Sequence, residues 1–337
     1  MLYSDRSALI VGTRAVGAVF GAALLAAGWH VTFRVHPERF LTYRRVGLTI
    51  RHGERETRID GERFICDAVA RGSHQLVFVC VKMPEFKRAI RALADDDDGE
   101  RVYVTTQNGL AAPQMCAALF GKERVLAGAA VVNAQRTKPG LVEVFSDVRE
   151  LVLAPLPPAG GIVARAIAAR LAQAGINTQI APSADVLLWE RFVETEPLAT
   201  ACAVTQLSLG DVRSQPVALR FLRGLFDEVF DVAHAAGAEF SADAQLQCWQ
   251  AYLSAPPSLR PSLAIDVAAG RAGELDWLTG AVVRMAGQLR VRAPLHRDAL
   301  QTLRSKCTQG LRPVASAGRS AAPGGSTHAD GARDRSL

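Results

Sequence analysis

The chain has 337 residues, of which 49% are hydrophobic, 21% charged and 6% aromatic; 39 Lys plus Arg against 33 Asp plus Glu give a formal charge of +6. At roughly 150 residues per domain, this length suits two domains with ample cores and excludes a peptide, a disulfide scaffold, a collagen, a coiled coil or a disordered chain. Residues 312–337 hold four Arg and two Asp, so +4 is left over a large surface, too weak an excess for a nucleic-acid partner.

Membrane and export signals are also missing from the pattern. No apolar run reaches the ~18 residues that span a bilayer. Met1-Leu2-Tyr3-Ser4-Asp5-Arg6 lacks the basic start and small-residue cleavage site of a secretory leader. Cysteines 66, 80, 116, 202, 248 and 307 are scattered, with no C-x-x-C pair or His cluster, which suits reduced thiols in a cytoplasmic protein.

In chain order, residues 8–11 form a short β-branched run, a helical pattern follows to residue 27, and residues 31–33 read as a second strand. Residues 76–81 (Leu-Val-Phe-Val-Cys-Val) are apolar on both faces, as in a central parallel strand. An amphipathic helix over 85–93 and a strand over 102–105 come next. This alternation predicts an α/β, Rossmann-like parallel sheet with helices on both faces. Between them, Asp95, Asp96, Asp97 and Asp98 repel one another, so a solvated surface loop is expected there.

Strands are expected over 125–133, 141–145 and 150–154, a turn-rich break over 155–161, a helix over 162–174 and a last strand over 176–180. Beyond residue 183 the pattern is helical throughout: 184–206, 216–236, 242–253, 262–269, 274–290 and 295–306. The division expected is a dinucleotide-binding domain over 1–181, an all-helical substrate or dimerisation domain over 182–311, and a disordered tail over 312–337, where little is apolar.

The first strand-to-helix turn reads Gly12-Thr13-Arg14-Ala15-Val16-Gly17. A dinucleotide turn of G-x-G-x-x-G type uses its first glycine for the turn, its second for close approach of the diphosphate, and its third for helix–strand packing. Gly12 and Gly17 fit the first and third positions, and Arg14 takes the second. Such a turn presents a helix N-terminus to phosphate; the ordinary alternative is a βα turn with two packing glycines. After the second strand, Arg34, His36, Arg39, Arg44 and Arg45 make a basic segment, which suits the 2′-phosphate of NADP better than the ribose hydroxyl of NAD; taken by itself, a solvated basic loop is the simpler account of it.

With these residues in view, the chain resembles the ketopantoate reductase (2-dehydropantoate 2-reductase) family. The resemblance rests on several blocks in order: the turn from Gly12 to Gly17, Gly28-Trp29-His30-Val31-Thr32, Val81-Lys82, and Gln107-Asn108-Gly109-Leu110 against Q-N-G-L. Leu188-Trp189-Glu190-Arg191 is similar to L-W-x-K. Ser262-Leu263-Ala264-Ile265-Asp266 and Gly270-Arg271-Ala272-Gly273-Glu274-Leu275-Asp276 resemble S-M-x-Q-D and G-R-x-T-E-I-D. The match spans about residues 8 to 306.

The resemblance implies NADPH in the first domain and hydride delivery to the ketone of a 2-keto acid in the interdomain cleft. Cofactor contacts are then expected from Gly12, Thr13, Arg14, Ala15, Val16, Gly17, His36, Lys82 and Asn108. Asn108 and Ser262 would bind substrate, and Glu274 and Arg191 would be catalytic. A homodimer is compatible with the apolar helical domain.

Each of these residues also has an ordinary reading. Lys82 ends a strand, Asn108-Gly109 is a turn dipeptide, Glu274 and Asp276 favour a helix start, and Arg191 and Glu194 are spaced for a surface ion pair.

The departures from the family pattern concern chemistry. Arg191 stands where the family has its catalytic lysine, and a guanidinium offers charge but no proton near neutral pH. Thr195, Ala199, Ile265, Gly273 and Thr279 replace the family's polar or hydrogen-bonding residues, and Pro197 is expected to break or kink its helix. The alternative to a reductase is therefore a catalytically degenerate member that binds a ligand or partner without turnover.

Overall fold

A computed structural model describes residues 6–66, 74–157 and 161–309. The tail expected to be disordered, the first residues of the chain and the middle of the 155–161 turn lie outside these. The described elements are β1 (Ser7–Val11), α1 (Ala15–Ala26), β2 (His30–Arg34), α2 (Pro37–Val46), β3 (Leu48–His52), β4 (Arg55–Ile59), β5 (Phe64–Ile65), β6 (Leu76–Val79) and α3 (Met83–Ala94). They continue with β7 (Val102–Thr105), α4 (Ala112–Phe120), β8 (Val125–Lys138), β9 (Leu141–Pro155), α5 (Ile162–Gln173) and β10 (Asn177–Ile180). Helices alone follow: α6 (Ala184–Thr205), α7 (Leu209–Ser214), α8 (Pro216–Ala235), α9 (Ala244–Ser254), α10 (Ser262–Ala268), α11 (Thr279–Leu289) and α12 (Pro294–Gln309).

The strands form one sheet in the order β4-β3-β9-β8-β7-β6-β1-β2-β5, with β10 on β9. Pairing is parallel except for β8–β9 and β3–β4. The fold is thus α/β with a mainly parallel sheet followed by a helical region, as the alternation of patterns predicts. From β1 the chain moves outward to β2 on one side and later resumes at β6 on the other, so the β1/β6 boundary is where the winding reverses. Ligands of open α/β sheets bind beyond the strand ends at such a point.

Local sequence explains the packing. On α3, Met83, Phe86, Ile90 and Leu93 follow helical spacing and are all buried, while Lys87 and Arg91 face out. Each such side chain contributes ~1.5–3 kcal/mol by leaving water. Helix α6 joins two cores: Leu187 and Leu188 pack with Val79 and Met83 under the sheet, and Phe192 and Val193 pack among the C-terminal helices. No described helix is long and apolar enough to cross a membrane.

Two expectations are corrected here. The acidic run is not a solvated loop. Asp96 is 6% exposed and lies 3.6 Å from both Arg34 and Arg101, the latter fully buried. Asp97 accepts from the Tyr103 hydroxyl at 2.7 Å and pairs with Arg124 at 2.8 Å. Cations brought from β2, β7 and the β8 approach outweigh the repulsion that neighbouring carboxylates feel in isolation.

Pro197, in turn, does not break α6, which runs continuously to Thr205. Proline removes the N–H that would bond Val193 O four residues earlier. The buried Tyr252 hydroxyl of α9 lies 3.1 Å from Val193 O and 2.6 Å from Glu194 O, so it supplies the missing donor.

A buried polar network closes the helical region. His296 is fully buried, with Nδ1 2.7 Å from Glu228 and Nε2 2.8 Å from Glu196. Thr200 donates to Glu196 and meets the Thr279 hydroxyl at 2.6 Å. Burial alone would push the imidazole down, but the two carboxylates raise it to about 9.

Two measurements check these points. A folded-state value above the unfolded ~6.5 means that this stabilisation is complete below about pH 6.5 and lost as pH rises through 9. Urea unfolding of the wild type should show that decline, and His296→Gln should flatten it. Asp96→Ala should cost on the order of 3 kcal/mol, because it takes a buried carboxylate from Arg34 and Arg101; a solvated loop would give under about 0.5 kcal/mol.

Candidate active site

Three loops meet at the ends of neighbouring strands: residues 12–14 after β1, Val81-Lys82 after β6, and Thr106-Gln107-Asn108 after β7. Gly12 has φ +102°, and its N–H donates to Arg34 O at 3.0 Å. A Cβ on Gly12 would lie 2.9 Å from Val81 Cγ1, and one on Gly17 would lie 2.1 Å from Gly12 O. Both glycines are therefore set by space as well as by backbone, as a dinucleotide turn requires. Thr13 is buried, and Ala15 and Val16 begin α1 half-buried.

Arg14 is the N-cap of α1 with φ −82°, an ordinary conformation for any residue. Its side chain is half-buried and makes no hydrogen bond or ion pair among the described residues. Burial and the nearby Arg136 weaken its hold on its proton, while Asp266 and Glu85 oppose them. Arg14 forms the wall of a cleft of about 190 Å³ together with Gly12, Thr13, Arg34, His36, Arg39, Glu85 and Arg88. Arg34 is paired with Asp96, and Arg39 lies 3.7 Å from Glu85. His36 caps α2, its Nδ1 accepting from Glu38 N at 3.2 Å. Five cationic or protonatable groups around one carboxylate give the cleft a positive lining.

Directly after Val81, which lines this cleft, a second set of contacts joins the two halves of the chain. Lys82 Nζ donates to Asp266 of α10, which also accepts from Arg271 Nη2 at 2.9 Å. Burial works against the Asp266 anion, yet Lys82 and Arg271 hold its carboxyl below the usual range. Glu274 Oε1 accepts from Met83 N at 3.1 Å. Glu274 is 5% exposed, and burial pushes its carboxyl above the ordinary range despite Met83 N–H, Lys82 and Arg14. Gly273 is needed beside them: a Cβ there would lie 2.5 Å from Asp266 Oδ2.

Asn108 is half-buried beside Gly109, with no side-chain hydrogen bond among the described residues. Its neighbour Gln107 ties β7 to the β6 end, donating to Val79 O at 2.6 Å and Val81 O at 2.8 Å.

The structure thus brings together the turn of residues 12–17, His36, Lys82 and Glu274. Two candidates make no hydrogen bond or ion pair with these groups among the described residues. Ser262 is exposed at the first position of α10, one turn before Asp266. Arg191 forms the ordinary helix pair, Nη1 to Glu194 at 2.7 Å, and its buried Nε has no partner among the described residues. Residues not singled out from sequence are Asp266, Arg271, Gln107 and Arg88. Asp266, Arg271 and Gln107 lie inside blocks of the family pattern, whereas Arg88 on α3 becomes visible only once the fold brings it to the cleft.

The sequence matches ketopantoate reductase PanE/ApbA over residues 8–158 and the C-terminal region of the same family over residues 185–306. The chain belongs to the ketopantoate reductase family. A 2-dehydropantoate 2-reductase of Halobacterium salinarum is 27% identical over 297 residues, 88% of this chain and 97% of the relative. A PanE/ApbA family ketopantoate reductase from Ralstonia eutropha superposes with a TM-score of 0.79 at 23% identity, covering 91% of this chain and all of that one. D-mandelate dehydrogenase, in a ternary structure with NADH and anilino(oxo)acetate, gives 0.81 at 16% identity over 90% and 99% of the two chains. Relatives of this kind make the family one of oxidoreductases, and the two solved structures share the fold.

Gly17→Ala should force the turn apart and cost about 1–3 kcal/mol, read as a lower urea midpoint. Because the Gly12 carbonyl is what a methyl there meets, any dinucleotide affinity should fall with it.

Proposed function

We propose that the chain is an NADPH-dependent reductase of a 2-keto acid. The observation that carries this reading is the crevice at the β1/β6 boundary. There, a dinucleotide-type turn faces a buried carboxyl, Glu274, and an ammonium, Lys82, brought from the two halves of the chain. The residues present fit a dinucleotide: the Gly12 and Gly17 positions leave no room for side chains, and the cleft beside them is cationic. When bound, the cofactor supplies a hydride.

The protein's own residues divide the remaining work. The α1 N-terminus and the unpartnered Arg14 would hold the diphosphate, since a charge-assisted bond from Arg14 replaces the close approach that a glycine permits. Arg34, His36, Arg39 and Arg88 would bind a 2′-phosphate, which supports NADP over NAD. Asn108, which makes no side-chain hydrogen bond among the described residues, would orient the keto acid. Glu274 would accept from or donate to it through Oε2, as Oε1 is taken by Met83 N. Ser262 would add a hydroxyl from the start of α10, and Arg191 enters this reading only by leaving Glu194.

That last pair is also the specific observation favouring the second reading, a ligand-binding protein without turnover. Thermal shift with NADPH, followed by NADPH oxidation with 2-keto acids, separates the two. At 100 times Kd the cofactor should stabilise the fold by about 2.7 kcal/mol, with NADPH at least roughly tenfold tighter than NADH. Arg14→Ala should lose about 1.5–3 kcal/mol of that affinity. Binding without oxidation of NADPH supports the second reading, and no shift with any nicotinamide dinucleotide overturns the first.

A further inference from the structure

Turning a ketone into an alcohol requires a proton on oxygen as well as a hydride on carbon, and the proton needs a donor that can release it. Arg191 cannot serve: a guanidinium keeps its proton, and this one is bound to Glu194. Other cations around the crevice, Arg14, Arg136 and Arg271, share that limitation. The chain has 34 arginines and only five lysines. All five are described. Lys87, Lys122 and Lys138 are exposed, and the Lys306 ammonium bonds Val204 O at 2.8 Å. Lys82 alone stands at the crevice.

Its placement is fixed by both halves of the chain. Lys82 follows β6 as the N-cap of α3, next to Val81, against which Gly12 packs. Its side chain is 17% exposed, and Nζ is anchored by Asp266, itself held by Arg271. An ammonium has three N–H groups, and Lys82 Nζ makes no other hydrogen bond among the described residues. The next peptide N–H is bonded to Glu274, so backbone and side chain are both immobilised.

We infer that Lys82 is the proton donor of the reduction and Asp266 the residue that positions it; this rests on the reductase reading above. The carbonyl carbon receives a hydride, with its two electrons, from the reduced nicotinamide dinucleotide, and the carbonyl π pair moves onto oxygen. That oxygen takes a proton from Lys82 Nζ: the N–H bond breaks, its electron pair stays on nitrogen, and the O–H bond forms. The neutral amine then recovers a proton from water. An alkoxide is a far stronger base than an amine, so the transfer runs downhill even from an ammonium paired with a carboxylate.

The test compares wild type with Lys82→Arg, Lys82→Ala and Asp266→Asn. Lys82→Arg keeps the charge facing Asp266, so its urea midpoint and its NADPH-induced thermal shift should stay near wild type, while kcat falls roughly 10²–10⁴-fold. Lys82→Ala should regain rate with added ethylamine, in proportion to the protonated amine, which a purely structural role would not produce. Asp266→Asn should lower kcat roughly tenfold or more with KM nearly unchanged, since the ammonium loses the carboxylate that positions it.

Lys82→Arg turning over at the wild-type rate, or Lys82→Ala deaf to amines, overturns the inference alone. An alkaline limb abolished by Glu274→Gln and untouched in Lys82→Arg gives the proton to Glu274 and also overturns it. A wild type that neither binds a dinucleotide nor reduces any 2-keto acid removes the reductase reading, and this inference with it.

Discussion

The contact on which the molecule turns is the Lys82–Asp266 ion pair, with the Met83 N–H to Glu274 bond beside it. Consecutive residues at the start of α3 reach from the sheet to α10 and to the segment after it. Such a pair contributes little net stability, because both charges leave water, yet losing either partner strands the other. Its effect is on geometry. The helical region can meet the sheet in the orientation that satisfies Asp266, Glu274 and the Met83 amide together, and that orientation puts the crevice opposite the α1 N-terminus. Arg271 makes Asp266 a shared anion, so the anchor stays charged when the Lys82 ammonium changes state.

Arg14 and Arg191 are both arginines at positions where the family pattern has something smaller or more acidic, but their consequences differ. At position 14 the glycine of a dinucleotide turn is needed for space and not for backbone, since φ is −82° there. A long side chain can leave that space by extending along the cleft wall, where its charge would face the phosphate of a bound dinucleotide. At position 191 no rearrangement restores a releasable proton, because the limit lies in the guanidinium itself. On the proposed reading, one replacement adapts the site, and the other leaves the proton to another residue.

Much of the fold was legible because its signals are local. The spacing of Met83, Phe86, Ile90 and Leu93 identifies α3 without tertiary information, and six of the C-terminal helices follow from the same periodicity. The dinucleotide turn could be read from two glycines. Illegible features had distant causes. The β8–β9 hairpin reads as three short strands because polar stretches such as Asn133, Gln135 and Thr137 face outward while the backbone ladder continues. Four aspartates look solvated until Arg34, Arg101 and Arg124 arrive. Pro197 looks like a break until Tyr252, 55 positions on, offers its hydroxyl.

Glu274 and Lys82 were named from a motif, yet only the fold gives them a common crevice; Arg191, named with equal reason, found its nearest helical neighbour instead. The altered polar positions follow the same division. Thr279 joins Thr200, Glu196 and His296 in a closed buried network whose donors and acceptors satisfy one another. Gly273 vanishes as a side chain so that Asp266 can occupy its place. Positions that lost the family's residue were thus absorbed into packing or cleared for an anchor. Those that still present chemistry to the crevice, Lys82 and Glu274, are also the ones that bridge sheet and helices. A residue with both duties is held by the domain contact as well as by its chemistry, because removing its side chain leaves a buried partner without its counterpart.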